Sequence, residues 1–261
     1  MWSPDELAEA AANALESRVR ALCEEQAVRG IDACSEVELQ TILRRGYEAA
    51  GYGVIAEQPY PGEPERRPNK PERERCDIVL TPRPGQVLID PVLELREQDK
   101  ALGTLFEPFA ADGPAPAPEA CAIEDAHWLE VKTVGQFTYT RGVPGPNRAY
   151  SSELVAGPAA DAVKLEWDRF IAWAGVLVVV FTEDETTARH DLGVLMHRLL
   201  DRELPVLSPA IRCGRIPDFI GNRVCAAALI PVSKPPPLNP RPAPDRDEGG
   251  ESAVDEPPGR G

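Results

Sequence analysis

The 261-residue sequence lacks the features that mark membrane and secreted proteins. No apolar run approaches the roughly 18 residues that a membrane-spanning helix needs, so we expect no membrane association. The first ten residues, MWSPDELAEA, contain neither the basic nor the apolar region of a signal peptide. The sequence therefore predicts a cytoplasmic protein.

Cysteine and histidine are too scattered to suggest a metal site of their own. The six cysteines include no C-x-x-C pair, which argues against structural zinc, and we expect them to be reduced thiols. His190 and His197 lie seven residues apart on an expected helix. That spacing fits a solvated or packed helical face better than a pair of metal ligands.

Positive charge is also scarce, because 28 basic residues face 43 acidic ones and the net charge is -15. This balance excludes a broadly basic nucleic-acid-binding surface, but it leaves room for a local one. The stretch ERRPNKPERER, residues 65–75, is either such a local surface or a solvated loop. Its five cations are Arg66, Arg67, Lys70, Arg73 and Arg75. The excess of arginine over lysine is typical of a GC-rich bacterial genome.

Residues 1–32 are expected to form an N-terminal helical extension. Ser3 is a suitable N-cap, Pro4 suits the first turn, and Gly30 is the expected end of the helix. An apolar stripe recurs at helical spacing over Leu7, Ala11, Leu15, Val19 and Leu22. We expect this stripe to pack on a larger core.

Residues 33–232 alternate between helical and strand patterns, which predicts an α/β domain with a central mixed β-sheet flanked by helices. Prolines and alanines at about 82–126 indicate an insertion, and the proline-rich residues 233–261 indicate a disordered tail. The expected order is helix, strand, strand, insertion, strand, helix, strand, helix, strand. The segments, in that order without the insertion, are SEVELQTILRRGYEAAG, YGVIAEQPYP, RCDIVLTP, HWLEVKTV, PAADAVKLEWDRFIAWAG, GVLVVVFTED, residues 186–202 and RVCAAALIPV.

Two local expectations concern the second half of this domain. The helix over PAADAVKLEWDRFIAWAG is expected to bury a side that includes Val163 and Trp167. The Gly/Pro-rich stretch before it is expected to be a loop, although QFTYT is also compatible with an extension of the preceding strand.

The strand HWLEVKTV combines an acid and a base on one face. Because side chains alternate along a strand, Glu130 and Lys132 share a face with Trp128 and Val134. A surface ion pair and a chemical site both fit this arrangement. The Glu-x-Lys spacing alone is weak evidence, because one such match is expected by chance in a chain this acidic.

Two further acidic positions give the pair a context. Asp77 lies in the preceding strand pattern, and Glu36 and Glu38 lie in the first turn of the helix before it. Carboxylates on adjacent strands can bind one divalent cation through oxygen. A lysine beside that ion can orient or deprotonate a water and offset charge on a phosphate.

The motifs SEVELQ, RCDIVL and LEVK, in this order, resemble the PD-(D/E)XK nuclease superfamily, whose fold is restriction-endonuclease-like. The resemblance implies a metal-dependent nuclease that hydrolyses phosphodiester bonds, most simply in DNA, with Mg²⁺ or Mn²⁺. It implies that Asp77 and Glu130 are metal ligands and that Lys132 is the catalytic lysine. It also implies an acid from the helix, and it makes Gln136 a candidate site residue. The basic loop at 65–75 would then contact the nucleic acid.

Several alternatives stay open at this point. Ser35 and Glu38 form a capping-box pattern, so we favour Glu36 as the helix acid. Gln136 fits a plain polar strand end equally well. Cys76 stands where the superfamily often has proline, and the long interval between Asp77 and Glu130 requires the insertion. RNA as substrate, exonuclease or endonuclease action, a homodimer, and a non-catalytic module that binds a protein partner are all compatible with the sequence.

Overall fold

The structure is a computed structural model, of which we describe residues 2–62, 73–89 and 119–234. Within these ranges the helices are α1 (Pro4–Glu24), α2 (Glu36–Ala49), α3 (Tyr150–Trp167) and α4 (Glu185–Asp201). The strands are β1 (Gly53–Pro59), β2 (Arg75–Thr81), β3 (Val87–Leu88), β4 (Ala120–Cys121), β5 (His127–Gly135), β6 (Phe137–Thr140), β7 (Val143–Pro146), β8 (Trp173–Thr182), β9 (Ala210–Arg215) and β10 (Val224–Val232). None of the helices in the described ranges is long and apolar enough to cross a membrane.

Six strands form the central sheet in the order β1-β2-β5-β8-β10-β9. The first three make an antiparallel meander, and β5 then pairs in parallel with β8 through the crossover helix α3. β8, β10 and β9 complete the sheet with antiparallel pairs. The predicted α/β fold, a mixed sheet flanked by helices, is confirmed.

Strand alternation divides the core into two apolar layers. Ile78 and Leu80 pack under α1 and α2, whereas Val79 faces the layer of α3 and α4. β5 follows the same rule: Leu129 lies in the first layer and Trp128 in the second. Burial of each such side chain contributes roughly 1.5–3 kcal/mol, so the alternation strongly determines which face each strand residue takes.

Helix α1 belongs to the first layer, where Leu7 and Leu15 are buried in the same cluster as residues of β2, β5, β8 and β10. The helix ends at Glu24, so the predicted end at Gly30 is wrong. Gln26 adopts a left-handed conformation with φ of 50°, and Ala27 N donates to Leu22 O at 2.9 Å. A left-handed residue just past the last turn ends a helix in the way that glycine usually does.

Parts of the predicted insertion, basic loop and tail lie outside the described residues. β3 and β4 pair in parallel at the two ends of the insertion, and residues 90–118 lie outside. Of the basic loop, Arg66, Arg67 and Lys70 lie outside, whereas Arg73 donates to Tyr60 O at 2.7 Å and Arg75 to Glu57 O at 3.2 Å.

The predicted tail begins at Ser233, and only its first two residues, Ser233 and Lys234, are described, because residues 235–261 lie outside the described part. Ser233 N donates to Pro205 O at 2.6 Å. The Lys234 ammonium donates to carbonyl groups at the end of α3, including Asp168 O at 2.8 Å. Both residues therefore still pack on the domain.

The apolar side predicted for α3 is wrong. Val163 is 38% exposed and Trp167 is 64% exposed, whereas Leu154, Ala162 and Leu165 are buried. The helix starts earlier than predicted, at Tyr150, and ends at Trp167. The segment after it turns because the Asp168 carboxylate accepts from Phe170 N at 3.0 Å, as in an Asx-turn.

Residues 137–146 differ from both expectations for this stretch. They form a separate two-stranded ribbon, β6 and β7, which is neither a loop nor an extension of β5. Edge strand β9 was not expected either, because its AIRCGR sequence has a weak apolar pattern.

Candidate active site

The site lies where β2 and β5 separate. Backbone pairing joins Ile78–Leu80 to His127–Leu129, a register that places Asp77 opposite Glu130. Beyond the paired residues, side chains replace the ladder: Val131 N donates to Asp77 Oδ2 at 2.7 Å, and Cys76 Sγ donates to Leu129 O at 3.2 Å. The two strands separate here. The side chains of Asp77 and Cys76 satisfy Val131 N and Leu129 O in place of backbone groups of a paired strand. The prediction that Asp77 and Glu130 lie on adjacent strands is confirmed.

Glu130 is only 2% exposed and is held by two partners. Tyr60 Oη donates to Glu130 Oε1 at 2.6 Å, and Lys164 Nζ lies 3.5 Å from the same oxygen. Tyr60 is itself fixed because its ring stacks on Trp128 with centroids 5.9 Å apart. The carboxyl group is thus oriented by a residue after β1 and by one on α3.

Lys132 connects the two helical layers. Its Nζ lies 3.4 Å from Glu36 Oε1 on α2 and 3.2 Å from Asp161 Oδ2 on α3. Its stem passes Gly157, where an added Cβ would lie 3.1 Å from Lys132 Cδ. The absence of a side chain at Gly157 gives the lysine room to reach both carboxylates.

Asp161 joins the two lysines. It is 2% exposed, and its Oδ1 lies 2.8 Å from Lys164 Nζ, one helical turn away. Its Oδ2 lies 3.2 Å from Lys132 Nζ, so each carboxylate oxygen of Asp161 faces one ammonium group.

Negative charge exceeds positive charge in this cluster, and the pKa values reflect that imbalance. Burial, followed by the charges of Asp161 and Asp77, raises the pKa of Glu130 to about 8. Burial acts to lower the pKa of Lys132, but Asp161, Glu36 and Asp77 outweigh it, so the net pKa is raised. The four carboxyl groups are Glu36, Asp77, Glu130 and Asp161, and the two ammonium groups are Lys132 and Lys164.

No family model, curated protein or solved structure matches this chain. The geometry of the cluster is therefore the basis on which a function is inferred.

Four of the five predicted site residues meet in the cluster, namely Glu36, Asp77, Glu130 and Lys132. Glu38 is engaged elsewhere, because its carboxylate accepts from Ser35 N at 2.7 Å in a complete capping box. Gln136 also acts elsewhere: its Oε1 accepts from Glu183 N at 2.9 Å, which ties the end of β5 to the end of β8. Gln136 thus fits the alternative of a polar strand end.

Three residues of the cluster, Tyr60, Asp161 and Lys164, were not expected from the sequence. Asp161 and Lys164 are one turn apart in α3, a spacing that places two side chains on one helical face. They were not predicted as site residues because the opposite side of α3, with Val163 and Trp167, was expected to face the core. Tyr60 directly follows a strand, and its sequence context contains no sign of a role.

A divalent cation at this site would have few protein ligands. Within the described residues, no three or more Asp, Glu, His or Cys side chains are grouped closely enough to hold one ion. An ion beside Asp77 and Glu130 would therefore keep several of its waters, as Mg²⁺ commonly does. The excess of carboxylates over ammonium groups suits added positive charge. In this arrangement Glu36 contacts Lys132 and does not complete a three-ligand set.

Proposed function

We propose that the chain is a metal-dependent phosphodiester hydrolase of the PD-(D/E)XK type, which acts on DNA with Mg²⁺ or Mn²⁺. The observation that carries the proposal is Lys132, a charged lysine flanked by carboxylates from two helices, on the strand where Glu130 lies opposite Asp77 just beyond the last paired residues. A purely structural ion pair needs only one such partner.

The order of elements supports the same proposal. α2, β1, β2, β5, α3 and β8 form a helix, three antiparallel strands, a crossover helix and a parallel strand. The three motifs behind the resemblance lie on α2, β2 and β5, and the insertion separates β2 from β5 without separating them in the sheet. This order of elements and motifs supports the proposal.

Asp77 and Glu130 are the residues that would hold the ion. Asp77 has one oxygen engaged by Val131 N and the other without a described donor, and Glu130 presents a carboxyl group that is oriented by Tyr60. When bound, the ion would supply Lewis acidity at a phosphate oxygen and make a coordinated water more acidic. Binding would also favour the ionised form of Glu130 over its neutral form.

Lys132 acts in this proposal as a fixed cation. Because three carboxylates raise its pKa, it stays protonated at neutral pH, so it does not accept a proton from water. It donates hydrogen bonds to a phosphate oxygen or orients the attacking water, and it stabilises negative charge as that charge develops. Asp161 and Glu36 hold its ammonium group in place.

The test is cleavage of plasmid and linear DNA by the purified full chain with Mg²⁺, Mn²⁺ or EDTA. Wild type should cleave only with a divalent ion, and Lys132→Ala should reduce the rate by about 10²–10³-fold, the scale on which removed electrostatic stabilisation acts. Arg202→Ala, which removes an exposed cation after α4, is the matched control and should leave the rate unchanged. Products from circular plasmid would distinguish endonuclease from exonuclease action.

A protein-binding module that keeps this fold is the second candidate. Glu130 is buried and already partnered by Tyr60 and Lys164, which a structural ion network would also show. The net charge of -15 suits a basic protein partner better than a free polyanion. If wild type cleaves no nucleic acid and binds no divalent ion at millimolar concentration, this second function replaces the first.

A further inference from the structure

The ribbon formed by β6 and β7, residues 137–146, projects from the body of the domain. It pairs only with itself, and Thr140 lies opposite Val143 across a two-residue turn. Arg141 and Gly142 in that turn have φ of 51° and 82°, as a type I′ hairpin turn requires. Residues from Thr140 to Pro144 are exposed, and Val143 is 67% exposed.

The base of the ribbon is firmly attached even though its tip is free. The buried Asn222 side chain accepts from Phe137 N at 3.2 Å and donates to Phe137 O at 3.1 Å. Asn147 N donates to Gln136 O at 2.7 Å on the other side of the base. The Arg29 guanidinium covers the Tyr139 ring at 5.1 Å from its centroid. A two-stranded hairpin is marginal by itself, so these contacts maintain its shape.

The ribbon is also the centre of a positively charged stretch in an acidic protein. Residues 131–152 contain no acid, whereas 43 acids in 261 residues would place three to four in a stretch of that length. The same stretch contains Lys132, Arg141 and Arg148. Arg29, Arg141 and Arg148 make no ion pair with any residue in the described ranges.

Three acids lie at the base of the ribbon. Asp32 accepts from Asn222 Nδ2 at 2.9 Å, Glu153 accepts from Asn147 Nδ2 at 2.8 Å, and the backbone of Glu183 contacts Gln136. None of the three lies on the exposed strands. The ribbon therefore offers cations at its tip and its end, with carboxylates only where it joins the domain.

The chain connects the ribbon directly to the candidate active site. β5, which carries Lys132, ends two residues before Phe137, and α3, which carries Asp161, starts four residues after Pro146. Both ends of the ribbon are thus attached to elements that form the cluster. The base of the ribbon is therefore roughly 17 Å of strand from Lys132, a distance that a DNA duplex can span.

We propose that the ribbon enters the major groove of a B-form DNA duplex, with Arg141 and Arg148 contacting phosphates. This inference deepens the proposed function and rests on it for the location of the scissile phosphate. Four residues per strand give a length of about 13 Å, enough for a groove about 12 Å wide and 8.5 Å deep that admits a two-stranded ribbon. The deep, narrow major groove of an RNA duplex does not admit it.

The experiment measures binding of the full chain to a labelled duplex in EDTA, by fluorescence anisotropy at 50–200 mM salt. The Arg141→Ala/Arg148→Ala double variant should bind at least about tenfold more weakly, and the slope of log K against log salt should decrease by about 1.8, or 0.9 per phosphate contact. Arg198→Ala/Arg202→Ala, at the far end of α4, makes the same charge change and should alter neither quantity. Wild type should bind an RNA duplex of the same sequence more weakly than the DNA.

Three results would overturn the ribbon proposal: an unchanged affinity and slope in the ribbon variant, equal losses in both double variants, or equal affinity for the RNA duplex. The outcome is separate from that of the cleavage test. A chain that cleaves DNA normally without Arg141 and Arg148 keeps the hydrolase and loses the ribbon contact. A chain that cleaves nothing but binds duplex DNA through these arginines keeps the ribbon contact and loses the hydrolase.

Discussion

β5 and β8 lie side by side in parallel and in register, yet one is charged and the other is apolar. Glu130 pairs with Val176 and Lys132 pairs with Val178, and α3 packs on both strands. The strands differ in their second neighbour. β10 accompanies β8 from Ala174 to Thr182, whereas β2 pairs with only three residues of β5. Charged side chains are tolerated where the sheet opens and other polar groups can reach them.

The largest effect is expected when a carboxylate is placed on β8, the strand that is paired along its length on both sides. Val176→Glu would place a carboxylate opposite Glu130, at a position that is 1% exposed in an apolar cluster. The free energy of unfolding should fall by at least about 3 kcal/mol, because the new charge is buried beside a second carboxyl group and the nearby Lys164 already pairs with Asp161. Denaturant unfolding and soluble yield measure this loss. Val176→Ala is the control for the loss of the valine side chain. Equal stability of Val176→Glu and Val176→Ala would show that β8 tolerates a buried charge, against the difference drawn between β5 and β8.

The second prediction concerns how the stability of the folded chain depends on pH through Glu130 on β5. The pKa of Glu130 is raised to about 8 in the folded chain from an ordinary value near 4.5, so the folded state retains a proton that the unfolded state releases. This contribution to stability is complete below about pH 4.5 and is lost as the pH rises to 8. In EDTA, wild type should therefore lose up to about 1.4 kcal/mol per pH unit relative to Glu130→Gln.

The measurement is thermal or denaturant unfolding of both proteins from pH 5 to pH 8. Parallel stability curves would show that Glu130 titrates normally. With saturating Mg²⁺ the difference between the curves should shrink, because the ion stabilises the ionised carboxylate.

The third prediction separates the two functions of Asp77. Asp77→Asn keeps an acceptor for Val131 N and should cost under about 1 kcal/mol, whereas Asp77→Ala leaves that donor unsatisfied and should cost about 1–3 kcal/mol. Both variants should lose metal-dependent cleavage, because the amide removes the charge. Unfolding curves and the plasmid assay test this pair. Full cleavage by Asp77→Asn would exclude Asp77 as a metal ligand.

A small effect on stability alone is expected at Tyr60. Tyr60→Phe removes the donor to Glu130 and should cost about 1 kcal/mol. Tyr47 is the matched control within this chain, because its hydroxyl is buried and has no partner among the described residues. Tyr47→Phe should therefore be neutral or slightly stabilising in the same unfolding experiment. A larger loss from Tyr47→Phe than from Tyr60→Phe would mean that the Tyr60 hydrogen bond is unimportant.

The sequence predicted the strands of the site well, for a local reason. Asp77, Glu130 and Lys132 each lie in a short apolar strand pattern, and the alternation of side chains follows from the backbone alone. Adjacency of β2 and β5 was predictable only through the resemblance, because the interval between them is long. Their separation beyond Ile78 has no sequence signature.

The remainder of the site depends on how elements dock. Both sides of α3 contain small and apolar residues, so periodicity did not determine which side would be buried, and Asp161 and Lys164 stayed hidden. The ribbon was not predicted because its turn is Arg-Gly. Arg141 adopts a left-handed conformation that Asn or Asp adopts more easily, so the turn lacks the usual sequence signal of a hairpin. Such features arise from tertiary contacts that no window of sequence contains.

The packing of α1 has a consequence for biosynthesis. The first helix covers β9 and β10, and Arg212 on β9 contacts Glu9 on α1, 203 residues away in the chain. A nascent chain consequently carries the apolar side of α1 without its final neighbours until β10 has left the ribosome. Contacts of such long range form slowly and expose apolar surface in the interval. We expect chains that stall before residue 224 to aggregate or to recruit chaperones.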